Sequence, residues 1–344
     1  MFLGDAGGDA AAGPLRARCF MRLLPGAIAA IAISGSVLSG CNGSTSIPQQ
    51  TAAGVAGQSA KTLPAKLPRN VVYVSDQLEK ALVAFPASEH AKNPTPLETL
   101  SLGVIPEGIW VDRKGILYVG LFDSNGSQFG SVEEFKPGAT QPFLTITDGI
   151  GEPSNIVVDR KGTVYVDQVN DLSVEILEYP AGQTSPSQTL SITEKGEPIA
   201  GEMTLDAHGN LYVHTFFIDN PPSHVYEFKK GSATPKDLGL SGLGNTADLS
   251  SDKAGNLYVS DANFGISVYA PGQTTASREI TPPPNNIFDG FVTTRSGNLY
   301  AAQGAAGYDE PSLLEYAVGG SQPVNVLSGH LQGPLVPALR AAAF

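Results

Sequence analysis

Short apolar runs separated by turn residues recur from residue 70 to residue 340. A tyrosine occupies the same place in each copy, and successive tyrosines are 45, 47, 47, 46 and 42 residues apart. One copy, NVVYV (70–74), matches only the second half of the others. The other five align over their full length: GIWVDRKGILYV (108–119), NIVVDRKGTVYV (155–166), EMTLDAHGNLYV (202–213), DLSSDKAGNLYV (248–259) and GFVTTRSGNLYA (290–301). Periods of this length indicate a repeat architecture.

Each copy contains four candidate strands. The two runs of β-branched and aromatic residues favour strands, and the Asp-x-x-Gly between them predicts a tight hairpin, since Asp accepts backbone N–H groups and Gly tolerates positive φ. Thr294 replaces this Asp in the last copy, so we expect a less well capped turn there. A motif such as VEEFKPG (132–138) predicts a third strand, and the shorter apolar stretch after it a fourth. Radial repetition of four-stranded antiparallel sheets is a β-propeller.

Six tyrosine-centred units therefore predict an all-β, six-bladed β-propeller. The first unit lacks its first strand, whereas GPLVPAL (333–339) follows the last unit, where a further first strand would come. We expect this segment to complete blade 1 and close the ring. Pro337 counts against that pairing because proline cannot donate a ladder hydrogen bond. A five-bladed ring and an open solenoid are the alternatives.

The repeated Asp-x-x-Gly-x-Leu-Tyr-Val pattern resembles the NHL-repeat family of propellers, as found in secreted bacterial proteins. It is more distantly similar to the gluconolactonase and senescence-marker family. The resemblance covers residues 70 to 340 as a repeating motif. It implies a channel lined by the first strand of each blade.

Charge and cysteine content narrow the possible partners. Asp and Glu number 33 against 21 Lys and Arg, a net charge of −12, which disfavours binding to nucleic-acid phosphates. The two cysteines, Cys19 and Cys41, exclude a disulfide-stapled fold and a cysteine-based zinc site.

Residues 21–40 have the organisation of a signal peptide, with Arg22 before an apolar stretch and small residues before Cys41. Leu-Ser-Gly-Cys, ending at Cys41, resembles the lipobox of bacterial lipoproteins, which implies a lipid on the Cys41 thiol and cleavage before it. A transmembrane anchor is the alternative, but the apolar stretch is shorter than the roughly 20 residues that a spanning helix needs.

We expect residues 1–20 to be a gene-start extension or a long n-region, so Met1 and Met21 both remain possible starts. Residues 41–68 are expected to be a lipidated, flexible tether, and residues 69–344 the propeller. The lipoprotein resemblance implies a location in the bacterial cell envelope, at the outer membrane or cell surface. The predicted membrane partner is then reached through the lipid on Cys41.

Polar residues cluster where the inner strands begin and the second strands end. Antiparallel neighbours place these residues at one mouth of the channel, which we predict to be a ligand-binding site: Glu107, Asn155, Glu202, Asp248, Asp289, Asp76, Asp261 and His214. Carboxylates and amides suit a hard cation such as calcium. A solvated polar rim on an acidic protein is the alternative.

The gluconolactonase-like resemblance implies a divalent metal held by Glu, Asn and Asp about five residues before the turn Asp. Glu107 and Asp289 occupy that place, whereas Asn155 lies one residue later. These three residues are the candidate metal ligands, and calcium or another divalent cation is the candidate cofactor. Trp110 is predicted to be inter-blade core, and each turn Asp a turn residue.

No catalytic constellation is evident in the sequence, because the five histidines form no metal-binding pair and no nucleophile elbow occurs. We therefore expect a monomeric, non-enzymatic binding module for a protein, glycan or small ligand. The alternatives are a metal-dependent lactonase or hydrolase of gluconolactonase type and a purely structural envelope scaffold.

Overall fold

The computed structural model describes residues 71–340 except 88–94, 123–129, 171–172, 195–198, 217–222, 245–247, 262–264, 285, 304–310, 329–330 and 333. The predicted signal peptide, Cys41 and the tether lie outside the described residues. None of the described segments contains a helix that could cross a bilayer.

The described residues form 24 strands in six antiparallel sheets of four strands, which make a six-bladed β-propeller. Blade 1 contains β1 (Val71–Asp76), β2 (Ala81–Pro86), β3 (Glu98–Ser101) and, from the C-terminal end, β24 (Pro334–Arg340). Blade 2 contains β4 (Ile105–Val111), β5 (Leu117–Phe122), β6 (Ser131–Phe135) and β7 (Leu144–Ile146). Blade 3 contains β8 (Ile156–Val158), β9 (Val164–Asn170), β10 (Ser173–Tyr179) and β11 (Gln188–Thr193).

Blades 4 to 6 repeat the same order from the channel outward. Blade 4 contains β12 (Ile199–Leu205), β13 (Leu211–Phe216), β14 (His224–Phe228) and β15 (Pro235–Asp237). Blade 5 contains β16 (Leu249–Ser251), β17 (Leu257–Ser260), β18 (Ile266–Tyr269) and β19 (Arg278–Ile280). Blade 6 contains β20 (Gly290–Thr293), β21 (Leu299–Gln303), β22 (Ser312–Tyr316) and β23 (Pro323–Ser328).

Strand β24 closes the ring. It pairs with β1, so that Val71 lies opposite Arg340 and Val74 opposite Pro337. Pro337 is tolerated because β24 is the inner edge strand of its sheet, and an edge strand pairs on one side only. The predictions of six blades and of closure by the C-terminal strand are therefore confirmed.

Apolar residues seal the joint between each pair of neighbouring blades. Successive side chains of a strand point to opposite faces. Val71 and Tyr73 of β1 accordingly pack towards blade 2, while Val72 and Val74 pack towards blade 6. The joint beside the closing strand is thus as apolar as the others.

The Asp-x-x-Gly turns have the predicted chemistry. Asp112 Oδ1 accepts the N–H groups of Lys114 and Ile116, both at 2.8 Å, and Gly115 has φ of 81°. The turns at Asp159, Asp206 and Asp252 repeat this pattern. We call the end of the channel that carries these turns the turn face, and the opposite end the acidic face.

Candidate functional site

The predicted polar residues meet at the acidic face, where the inner strand of each blade begins beside the end of the second strand of that blade. The N–H of Asp167 donates to the Asn155 carbonyl at 3.2 Å, and the N–H of Asp289 donates to the Ala302 carbonyl at 2.9 Å. Seven of the eight predicted ligand residues are at most 8% exposed, and Glu107 alone is half-buried. Buried polar groups of this kind need hydrogen-bond partners.

A β-bulge explains why the aligned polar residues are offset by one position. The register between β4 and β5 shifts across Glu107 and Gly108, and the register between β12 and β13 shifts across Gly201 and Glu202. Blade 2 has glycine at the second of these positions, and its carboxylate comes from the residue before it. Asp289 likewise precedes Gly290 in blade 6, where Gly290 pairs directly with Ala302. Each of the five full repeats therefore contributes one carboxylate or amide, from either of two adjacent residues.

Asn155 links blades 3 and 4. Its side-chain Nδ2 donates to Glu202 Oε2, and its Oδ1 accepts the N–H of Met203 at 3.0 Å. On the blade 3 side, the backbone N–H of Asn155 donates to Asp167 Oδ1, and the Ser154 hydroxyl donates to Asp167 Oδ2 at 2.7 Å. These five residues form one network that crosses the joint between two blades.

Asp167 is completely buried within this network. Burial raises the pKa of its carboxyl group to about 7, although the hydrogen bonds from Ser154 and Asn155 act in the opposite direction. The nearby charge of Glu152 contributes a smaller increase to the pKa. Asp167 is therefore poised to titrate near neutral pH.

Asp76 belongs to the ring closure. Its Oδ2 accepts the N–H of Gln332 at 2.7 Å, just before β24, and its Oδ1 accepts the N–H of Glu79 at 3.1 Å. Asp261 instead caps its own loop, since its Oδ1 accepts the N–H of Gly265 at 3.0 Å. The Asp76 carboxylate thus bonds to the closing segment, whereas the Asp261 carboxylate bonds within its own blade.

Asp248, Asp289 and His214 are also buried at this face. Asp248 donates its backbone N–H to Ser260 Oγ at 3.1 Å, and His214 lies within β13. The candidate metal ligands come from three blades: Glu107 from blade 2, Asn155 from blade 3 and Asp289 from blade 6, which lies opposite blade 3. Among the described residues, no group of three or more His, Cys, Asp or Glu side chains could hold a metal ion. The metal site stays a prediction.

The central channel holds a cavity of about 180 Å³ that runs from Asn155 and Glu202 to the turn face. Its wall is mainly apolar and includes Met203, Leu249 and Phe291. Half-buried Trp110 lines the cavity and also packs against the joints on both sides of blade 3. The prediction that Trp110 is inter-blade core therefore describes one of its two roles.

Sequence reasoning did not identify the basic residues at the turn face. Six lysines and arginines line the channel opening there: Arg113, Arg160, Lys161, Lys230, Lys253 and Arg295. The signal was present in the repeat, because Arg or Lys follows the first turn residue in four of the five full copies.

Comparisons with known proteins support the architecture. No protein-family model matches the chain, and no curated protein matches it. The crystal structure of a protein of unknown function from Bacteroides caccae is similar, with 12% identity and a TM-score of 0.59, over 78% of this chain and 98% of that one. At this identity the likeness shows the fold alone. The chain is a six-bladed β-propeller, and its NHL-repeat and lipoprotein resemblances stay predictions.

Proposed function

We propose that this chain is a lipid-anchored, extracytoplasmic β-propeller that acts as a binding module and takes a small ligand into its central channel. The observation that carries the proposal is the contrast between an apolar-walled cavity and the internally bonded polar groups of the acidic face. A propeller with these features offers an enclosed, apolar place in which a ligand can bind.

The size of the cavity favours a small ligand over a protein or a long glycan. At about 180 Å³ it is smaller than the roughly 300–1,000 Å³ of drug-sized pockets. Its hydroxyl groups bond across the blades, as Ser250 Oγ does to Thr293 Oγ1 at 2.8 Å. Apolar contact would therefore supply much of the affinity inside the channel.

The metal-dependent lactonase has less support from the geometry. It requires Glu107, Asn155 and Asp289 to converge on one ion, yet both polar atoms of the Asn155 side chain are engaged by blade 4. Glu202 takes one of these bonds and the backbone of Met203 takes the other. The binding module needs no such rearrangement.

The envelope location rests on the sequence. The apolar stretch before Cys41, the small residues that precede it and the polar tether that follows it support export and lipidation. Metabolic labelling with a fatty acid tests the anchor. Label is expected on the wild-type chain and not on Cys41→Ser, and equal labelling of both would contradict it.

The binding function is tested by a thermal-shift screen of small metabolites and sugars on the full chain carrying Cys41→Ser. A ligand at 100 times its Kd stabilises by about 2.7 kcal/mol, which raises Tm by roughly 5–10 °C in a domain of this size. Leu205→Trp introduces an indole into the cavity and is expected to abolish the shift. Leu78→Trp is the control, since Leu78 is 63% exposed.

Two outcomes would contradict the binding module. In the first, no compound shifts the Tm, or the shift is equal in Leu205→Trp. In the second, a compound is turned over and turnover is lost in Glu107→Ala, which would favour the metal-dependent lactonase or hydrolase instead.

A further inference from the structure

Lysines and arginines are distributed unequally between the two ends of the propeller. Among the described residues, Lys80 is the one such residue at the acidic face. The others lie in the hairpin turns of the turn face or within two residues of them, on β15 and β19, except Arg340, which ends β24 at the same face. In a chain with a net charge of −12, the described cations thus lie almost entirely at one end of the propeller.

The cations of the turn face surround the channel opening. Four of them occupy the second position of an inner hairpin turn: Arg113, Arg160, Lys253 and Arg295. Blade 4 has Ala207 there, but Lys230 of the neighbouring hairpin lines the opening, and its N–H donates to Asn210 Oδ1 at 3.1 Å. Blades 2 to 6 thus all contribute a cation.

The carboxylates beside these cations are directed into the turns. Asp252 Oδ1 accepts the N–H groups of Ala254 and Asn256, and its Oδ2 accepts Asn256 Nδ2 at 2.8 Å. The cations themselves are exposed. Within the described part of the chain, the salt bridge found joins His224 to Asp237 and involves none of them.

The turns that carry two of the cations are in backbone contact. The N–H of Lys253 donates to the Arg295 carbonyl at 3.2 Å, so the turns of blades 5 and 6 touch. Blade 6 has Thr294 where the other turns have Asp, so Arg295 has no carboxylate in its own turn. Like charges on neighbouring turns repel each other, and an anion bound between them would offset that repulsion.

We propose that the channel opening on the turn face binds the phosphate or carboxylate group of a small ligand, with Lys253 and Arg295 as the main contacts. Arg113 and Arg160 face them from the opposite blades. A guanidinium can donate two parallel hydrogen bonds to such an oxyanion. The inference rests on the proposed function, because the remainder of the ligand occupies the channel.

Two sources could supply the oxyanion. One is a free metabolite, and the other is a lipid headgroup, since the chain enters β1 at the turn face and Cys41 precedes that strand. The probes are therefore pyrophosphate and citrate for the free anion, and vesicles of phosphatidylcholine with or without phosphatidylglycerol for the headgroup.

The experiment is isothermal titration calorimetry of the full chain carrying Cys41→Ser, at constant ionic strength, with vesicle co-sedimentation in parallel. Lys253→Ala combined with Arg295→Ala is expected to weaken binding of pyrophosphate or citrate at least about tenfold. Lys114→Ala combined with Lys136→Ala is the control, because both side chains are exposed on the same face and neither lines the opening.

Each outcome of these experiments either supports or overturns the proposed oxyanion site. The site is supported if the free anion binds and this binding is lost only in Lys253→Ala combined with Arg295→Ala. It is also supported if only vesicles with phosphatidylglycerol bind and this binding is lost in the same double variant, and the headgroup is then the source of the oxyanion. The proposed site would be overturned if neither the free anions nor the vesicles bind, or if the control double variant loses binding equally. A screened compound that needs the open channel, yet binds the first double variant with full affinity, would overturn this inference and leave the binding module standing.

Discussion

The two ends of the channel use charge in opposite ways. At the acidic face most polar side chains are buried, and that of Asn155 bonds to blade 4, that of Asp167 to its own blade and that of Asp76 to the closing segment. At the turn face Lys253 and Arg295 are exposed beside a cavity. The comparison teaches that clustering of charge does not identify a binding site. Burial and hydrogen-bond partners separate groups that hold the fold from groups left available to a ligand.

The largest expected effect is at the ring closure. Asp76→Ala removes the acceptor for the N–H groups of Glu79 and Gln332, and we expect the free energy of unfolding to fall by about 2–4 kcal/mol in urea denaturation. Asp261→Ala is the matched control, because Asp261 directly follows the second strand of blade 5 and its carboxylate accepts the Gly265 N–H and the Ser267 hydroxyl of the same blade. Hydrogen exchange should accelerate in β24 for Asp76→Ala alone, and equal acceleration in the control would contradict a closing role.

A second effect is a pH dependence that arises at the acidic face. The pKa of Asp167 rises from 3.8 to about 7 on burial, so the folded state holds a proton that the unfolded state has lost between about pH 4 and 7. Stability should therefore fall as pH rises through this interval and level off above about pH 8. Buried Glu134, whose pKa burial also raises to about 7, acts in the same direction.

The free energy of unfolding is expected to be lower at pH 8 than at pH 5, with Asp167 accounting for at most about 3 kcal/mol. Asp167→Asn mimics the protonated acid and should reduce the difference. Asp148→Asn, at an exposed position, should leave it unchanged. An identical pH profile in wild type and Asp167→Asn would show that Asp167 is not the titrating group.

The contact between blades 2 and 3 depends on a missing side chain. A Cβ at Gly108 would lie 2.7 Å from the Asn155 Cα, so Gly108→Ala should destabilise by about 1–3 kcal/mol in urea denaturation. At Gly151 the nearest atom to an added Cβ is 3.8 Å away, and Gly151→Ala should be nearly neutral. Equal stability of the two variants would argue against a tight approach of the blades at the bulge.

The smallest expected effect sharpens the comparison at the turn face. Thr294 Oγ1 accepts one backbone N–H, that of Asn298, whereas the Asp of the other turns accepts two. Thr294→Asp should stabilise the fold by about 0.5–1 kcal/mol and weaken pyrophosphate binding several-fold, because it places an anion beside Arg295.

Thr294→Asn separates the two consequences of that change. It supplies a similar acceptor without charge, so it should give a comparable gain in stability with unchanged pyrophosphate affinity. A loss of affinity in Thr294→Asn would mean that turn geometry, and not charge, controls the opening.

The blades could be predicted because each one carries its own local pattern. The tyrosine of the second strand, the Asp-x-x-Gly turn and the third-strand motif recur at fixed distances, and these are the features that specify hairpins. Closure by residues 334–340 could also be predicted, since one strand was missing at the start and one was surplus at the end.

The acidic face could be located but not interpreted from the sequence. Antiparallel pairing brings Asn155 and Asp167 together, but their burial and the link to Glu202 depend on how closely two blades approach. The partner of Asp76 lies 256 residues away along the chain, which no local pattern reveals. The one-residue offset between Glu107 and the aligned polar residues of other blades could not be predicted, because it depends on a β-bulge and therefore on the register of the backbone.

The closing strand also determines the order in which the molecule can be completed. Blades 2 to 6 are each built from one continuous stretch of chain, so local contacts suffice to form them. Blade 1 joins β1 to β24, and contacts between distant segments form slowly because a long loop must close first. The blade that is synthesised first is therefore finished last, and the ring stays open until β24 has been made.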